Sequence, residues 1–99
     1  RGMAFKHPFK PGDHVRLRPD ILKRPVSGPP GSEWHELYKR VLGHSGIVIH
    51  TFETSPHTQV RFNIPSRWRQ GEPGYRGTLG LHCDELVGTG EYTPPPEEE

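Results

Sequence analysis

A chain of 99 residues carrying 29% hydrophobic residues and a net charge of +1 holds one small domain. It contains no apolar run long enough for a membrane span, and its single cysteine excludes an internal disulfide framework. The near-neutral total hides an asymmetry: residues 1–43 carry nine Lys/Arg against four Asp/Glu, and residues 44–99 carry four against eight. The basic half is therefore the candidate contact face, although solvated surface charge and an acidic tail account for the same counts. A core this small leaves much of the surface wet, so a stable partner surface is expected.

Arg1 to Pro8 reads as an N-terminal arm, with Arg1-Gly2 ahead of Met3 resembling a cloning remnant. Phe9-Lys10-Pro11-Gly12-Asp13-His14-Val15-Arg16-Leu17-Arg18 follows, a turn feeding a strand. Pro11 presets the turn, Gly12 tolerates positive φ, and Val15 and Leu17 then point to one face while His14, Arg16 and Arg18 point to the other.

From Pro19 to Ser32, prolines 19, 25, 29 and 30 together with Gly28 and Gly31 break any helix or central strand, and the stretch reads as a long ordered excursion. Ser32 ahead of Glu33-Trp34-His35-Glu36 is a helix cap with acids in the first turn. Lys39-Arg40 and Gly43 then supply the basic last turn and the stop, which predicts a short helix over 33–42.

The β-branched segment Gly46 to Phe52 and the alternating Thr58 to Phe62 predict a hairpin turning at Ser55-Pro56-His57. A Gly/Pro-rich loop at 70–77, a strand Thr78 to His82 and a closing segment Asp84 to Val87 complete five short strands. The predicted class is mainly β, a small SH3-like barrel of about five strands whose long first loop carries the short helix. A sheet that curls on itself covers edges a short chain cannot cover otherwise. The domain is expected over 9–90, and the Pro/Glu segment 91–99 has nothing to bury and is expected to be flexible.

In order, these segments resemble the C-terminal domain of the nitrile hydratase β subunit, a family that includes thiocyanate hydrolase and the three-subunit toyocamycin nitrile hydratase. The family's Phe-x-Pro-Gly-Asp-x-Val-Arg is matched by Phe9 to Arg16. Its Tyr-x-Arg-Gly-Lys-x-Gly-x-Val is matched by Tyr38-Lys39-Arg40 and then Gly46-Ile47-Val48, with two extra residues between. Its Val-Arg-Phe, six residues before a tryptophan, is matched by Val60-Arg61-Phe62 and Trp68. Its final aliphatic strand entering Cys-Trp-Glu-Pro-Tyr is echoed by Leu81 to Leu86, where Asp84-Glu85-Leu86-Val87 replaces Trp-Glu-Pro-Tyr.

The resemblance implies hydration of a nitrile to an amide at a cobalt or iron centre held by a Cys-x-x-Cys-Ser-Cys loop. With one cysteine, this chain requires a partner α subunit to carry that centre, and a chain equivalent to the β N-terminal half to complete the enzyme. Arg40 is then the arginine whose planar fork holds the oxygens of oxidised, metal-bound cysteines, with a solvent-facing helix-end cation as the alternative. Trp34, His35, Tyr38 and Trp68 are the candidate pocket or interface residues, packing roles being open for each.

No cofactor is assigned to the chain itself. His35, His44, His50, His57 and His82 are scattered, and in a strand at most His82 and Asp84 of His82-Cys83-Asp84 can share an ion. A cytoplasmic setting is expected from the single cysteine and the lack of a signal-peptide pattern.

Two readings from other classes stand beside this one. A non-catalytic barrel can bind nucleic acid or protein through Arg16, Arg18, Lys23-Arg24, Lys39-Arg40, Arg67 and Arg69 interleaved with aromatics, although the low net charge and the absence of a stacking pair argue against nucleic acid. An activator that delivers metal to the α subunit can use the same barrel.

Overall fold

A computed structural model describes residues 5–64 and 78–95; Trp68, Arg67, Arg69 and the 70–77 loop lie outside the described residues. The chain forms β1 (Asp13–Leu17), α1 (Glu33–Val41), β2 (Gly46–Phe52), β3 (Ser55–Phe62), β4 (Thr78–His82) and β5 (Leu86–Tyr92). Short 3-10 turns occupy Ile21–Lys23 and Pro25–Ser27 in the first connection and Cys83–Glu85 between β4 and β5. The class is mainly β, as the alternation predicts. All pairings are antiparallel in one sheet of order β4-β3-β2-β1-β5.

The last connection dictates the shape. Laid flat, the outer strands of a five-stranded sheet stand ~19 Å apart. The three residues of the Cys83–Glu85 turn must nevertheless carry the chain from one outer strand to the other, and even extended they reach only about 14 Å. The sheet therefore curls toward a barrel, and among the described residues β4 and β5 are not paired with each other, so the curl stays open.

The residues placed inside by alternation fill the interior. Val15, Leu17, Val48, Val60, Phe62, Leu79, Leu81 and Leu86 are buried, together with Leu37, Tyr38 and Val41 from the inner side of α1 and Ile21 from the first connection. Helix α1 is thus the lid over one end of the curled sheet. Ser32 caps it, its Oγ accepting from the His35 backbone N–H at 3.3 Å. Glu33 and Glu36 in the first turn and Lys39 and Arg40 in the last complement the helix dipole.

The Pro11-Gly12-Asp13 turn ties three strands together. Gly12 adopts φ +102°, its N–H donates to the Val48 carbonyl at 2.8 Å, and its carbonyl accepts from Thr93 N–H at 2.8 Å. A Cβ there would stand 2.5 Å from Tyr92 Cε1, so the close approach of β5 also requires glycine.

Four boundaries differ from the sequence expectation. The β2–β3 turn falls at Glu53-Thr54, and Ser55, Pro56 and His57 lie in β3. Pairing jumps from Phe52↔Ser55 to Thr51↔Thr58, so a bulge leaves Pro56 outside the β2 ladder, where its missing N–H costs nothing. The expected strand at 84–87 begins with the Cys83–Glu85 turn, and β5 continues to Tyr92, so the segment expected to be flexible from 91 instead starts as sheet. His14 Nε2 lies 2.7 Å from Thr93 Oγ1 and Lys10 Nζ 4.6 Å from the Tyr92 ring, which anchors the strand end. The arm also docks: Phe5 N–H donates to the Glu53 carbonyl at 2.6 Å and His7 Nε2 to that of Phe52 at 2.7 Å. Among the described residues no helix is long and apolar enough to cross a membrane.

Candidate functional site

The helix positions four of the five residues singled out by sequence, and it separates them. Tyr38 is 3% exposed, and its hydroxyl donates to Glu85 Oε1 at 2.6 Å across 47 residues. Burial, reinforced by the Glu85 hydrogen bond and charge, drives the Tyr38 phenol well above the usual tyrosine range. Tyr38 is therefore neutral and fixed, a tether from α1 to the Cys83–Glu85 turn. That turn is held in place by the residue that follows β1, since the Arg18 backbone N–H donates to the Glu85 carbonyl at 2.9 Å and Arg18 Nε to the Asp84 carbonyl at 2.5 Å.

Trp34, one turn earlier, stacks at a tilt on Tyr38 with ring centroids 5.9 Å apart and remains 45% exposed, an uncovered aromatic beside the tether. His35 is half-buried, its Nδ1 standing 4.0 Å from Glu36 Oε2 and beyond hydrogen-bond reach of it. Arg40 is exposed in the last turn and already engaged within the chain. At 3.6 residues per turn it projects about 160° around the helix from Tyr38. The structure thus brings Trp34 and Tyr38 together and sets Arg40 on another side.

Several basic residues of the first half are matched by acids or carbonyls. Arg24 Nε lies 3.5 Å from Asp20, Lys39 Nζ 3.6 Å from Glu36, and Arg18 is occupied by the turn carbonyl.

A groove of about 590 Å³ opens elsewhere, lined by His14, Ile47, Ile49, Arg61 and Pro94-Pro95 among others. Of the predicted pocket residues that are described, Trp34, His35 and Tyr38, none lines it.

The His82-Cys83-Asp84 stretch corrects the expectation drawn from strand alternation. Cys83–Glu85 is a 3-10 turn, so the ligand atoms of all three residues fall within 4.8 Å of one another. His82 Nδ1 accepts from the Asp84 N–H at 3.1 Å and lies 3.7 Å from Asp84 Oδ2. Cys83 is 5% exposed, and burial, then the Asp84 charge, pushes its thiol up, which keeps it protonated. On the neighbouring strand, His57 pairs directly with His82, ring centroids 5.9 Å apart.

Glu85 and His57 were not singled out by sequence reasoning. A lone glutamate in a Cys-Asp-Glu-Leu run gives no local sign of burial, and its partner lies on a helix 47 residues earlier. His57 was expected in the hairpin turn, and its pairing with His82 follows only once it lies in β3.

No protein-family model matches this chain, and no curated protein or solved structure matches it significantly.

Proposed function

We propose that this chain is the metal-free, β-type subunit of a nitrile hydratase, a cytoplasmic barrel that docks on an α subunit carrying the catalytic cobalt or iron, alongside a chain equivalent to the β N-terminal half. The observation that carries the reading is the division of labour inside the Tyr38-Lys39-Arg40 block. Tyr38 is anchored inward on Glu85, and Arg40, two residues on, is turned outward on the helix that this bond tethers. A rigidly based, exposed guanidinium is what recognition of a partner's anionic oxygens needs, because its fork of donors matches paired oxygens in a fixed plane.

The only cysteine of this chain is buried, so the ligand loop belongs to the partner. There the metal supplies Lewis-acid polarisation of the nitrile and activation of water. Arg40 donates N–H groups to the oxygens of the oxidised cysteines and offsets their charge. Docking exchanges its present contact within the chain for this one. Exposed Trp34 gives the α subunit an aromatic anchor at the other end of the same helix. His35 and the Pro-rich first connection widen that face.

The test is Arg40→Lys in the reconstituted enzyme. Lysine keeps the charge and loses the fork, so assembly is retained and turnover falls roughly 10–100-fold, the worth of a charge-assisted hydrogen bond. Unchanged turnover removes Arg40 from the site.

A further inference from the structure

The outer face of the β3–β4 pair carries a cluster that the proposed function does not use. His57 and His82 are register partners on strands β3 and β4, both on the side away from the buried Thr58 and Leu81. Their ring centroids are 5.9 Å apart in an edge-to-face arrangement. Two imidazoles bound through nitrogen to one tetrahedral ion place their centroids ~5 Å apart, given metal–nitrogen distances of ~2.0–2.1 Å. The pair therefore needs a closure of about 1 Å, which side chains at an exposed or half-exposed position supply by rotation.

The second half of the cluster comes from the turn. Asp84 Oδ2 stands 3.7 Å from His82 Nδ1. Neighbouring ligands on a tetrahedral zinc ion are separated by ~3.4 Å at the same bond lengths. His82 Nδ1 already presents a lone pair, since it accepts the Asp84 backbone N–H. That N–H is exposed to water, which replaces the acceptor when the ring turns to a metal. On the other strand, His57 Nδ1 is engaged by Ser55 Oγ at 2.9 Å, which orients the ring and makes Nε2 the nitrogen to bind an ion. A hydrogen-bonded distal nitrogen is the usual support of a metal-bound histidine.

We propose that His57 Nε2, His82 Nδ1 and the Asp84 carboxylate form a surface site for a divalent transition-metal ion of the zinc type, with a fourth position left to water or an exogenous ligand. Two imidazoles and one carboxylate suit zinc and its neighbours in the transition series rather than magnesium or calcium, which favour all-oxygen shells. Cys83 Sγ lies within 4.8 Å of the His82 and Asp84 ligand atoms, but it is buried while the other three side chains reach the surface, so it is not one of the ligands. The ion would clamp β4 and the start of the Cys83–Glu85 turn to β3, next to the segment that anchors α1.

Zinc chloride titrated into the full chain, followed by calorimetry and by NMR of the histidine ring protons, tests the site. One ion binds per chain, the ring signals of His57 and His82 shift together, and those of His44 and His50 stay in place. His57→Gln and His82→Gln each weaken binding roughly tenfold or more, Asp84→Asn several-fold, and Cys83→Ser has no effect. Equal affinity in the His57→Gln/His82→Gln double variant overturns the proposal, as does loss of binding in Cys83→Ser or a shift confined to other histidines. Should a variant fold poorly, copper(II) added to the unaltered chain decides the same question: selective broadening of the His57 and His82 signals supports the site, and broadening elsewhere overturns it.

Discussion

Tyr38 and Glu85, 47 residues apart, meet in the interior through a 2.6 Å hydrogen bond in which the phenol donates to the carboxylate. The bond joins the helix in the first connection to the turn that links β4 to β5. Tyr38→Phe leaves the Glu85 oxygen buried without its donor and is expected to destabilise the fold by ~1–3 kcal/mol. Glu85→Gln, which keeps an acceptor of the same shape, is expected to cost less. Urea unfolding of the two single variants and the double variant separates the bond from the desolvation of either partner.

The same pair sets an alkaline limit. The Tyr38 phenol is raised in the folded state, so its contribution is fully present below the unfolded tyrosine value and is lost as pH rises through and beyond it. Unfolding free energy is therefore expected to fall above about pH 10. In Tyr38→Phe this part of the fall is absent. Denaturation at stepped pH from 8 to 11 checks the sign.

Glycines of the sheet are not equivalent. A Cβ at Gly46 would stand 2.7 Å from Val60 Cγ1 and 3.0 Å from the Arg61 carbonyl, whereas a Cβ at Gly80 meets nothing within 4 Å. Gly46→Ala is expected to cost ~1–3 kcal/mol through overpacking between β2 and β3. Gly80→Ala is expected to be neutral or slightly stabilising, because it restricts the unfolded chain. Thermal melts of the two variants check the contrast.

Ser32 offers a smaller and more local test. Its Oγ satisfies the His35 N–H, so Ser32→Ala is expected to cost ~1 kcal/mol and Ser32→Asp to be nearly neutral. Helical circular dichroism and the unfolding midpoint read both.

Much of the fold was legible because its signals are local. Val15 and Leu17 face inward as alternation requires, β2 spans the expected residues, and the Ser32 cap and Gly43 stop bracket α1. The misplaced boundaries arise where tertiary pairing outweighs local preference. Pro56 looks like a turn residue, and a bulge in the β2–β3 ladder admits it to a strand. Glu91, Tyr92 and Thr93 look like the start of a polar tail, and Gly12, His14 and Lys10 hold them in place. The helix of the candidate site was readable, but not the direction of its side chains. Tyr38 turns inward because Glu85 waits there, and no pattern within either segment announces that partner.

The measurement that bears most directly on the central claim is affinity capture of the tagged chain from its native host, with mass spectrometry and metal analysis of what accompanies it. The expected result is a stoichiometric partner bearing a Cys-x-x-Cys-Ser-Cys loop, together with equimolar cobalt or iron, retained by the unaltered chain and diminished by Trp34→Ala. Recovery of nucleic acid, or of a protein without that loop and without either metal, would contradict it.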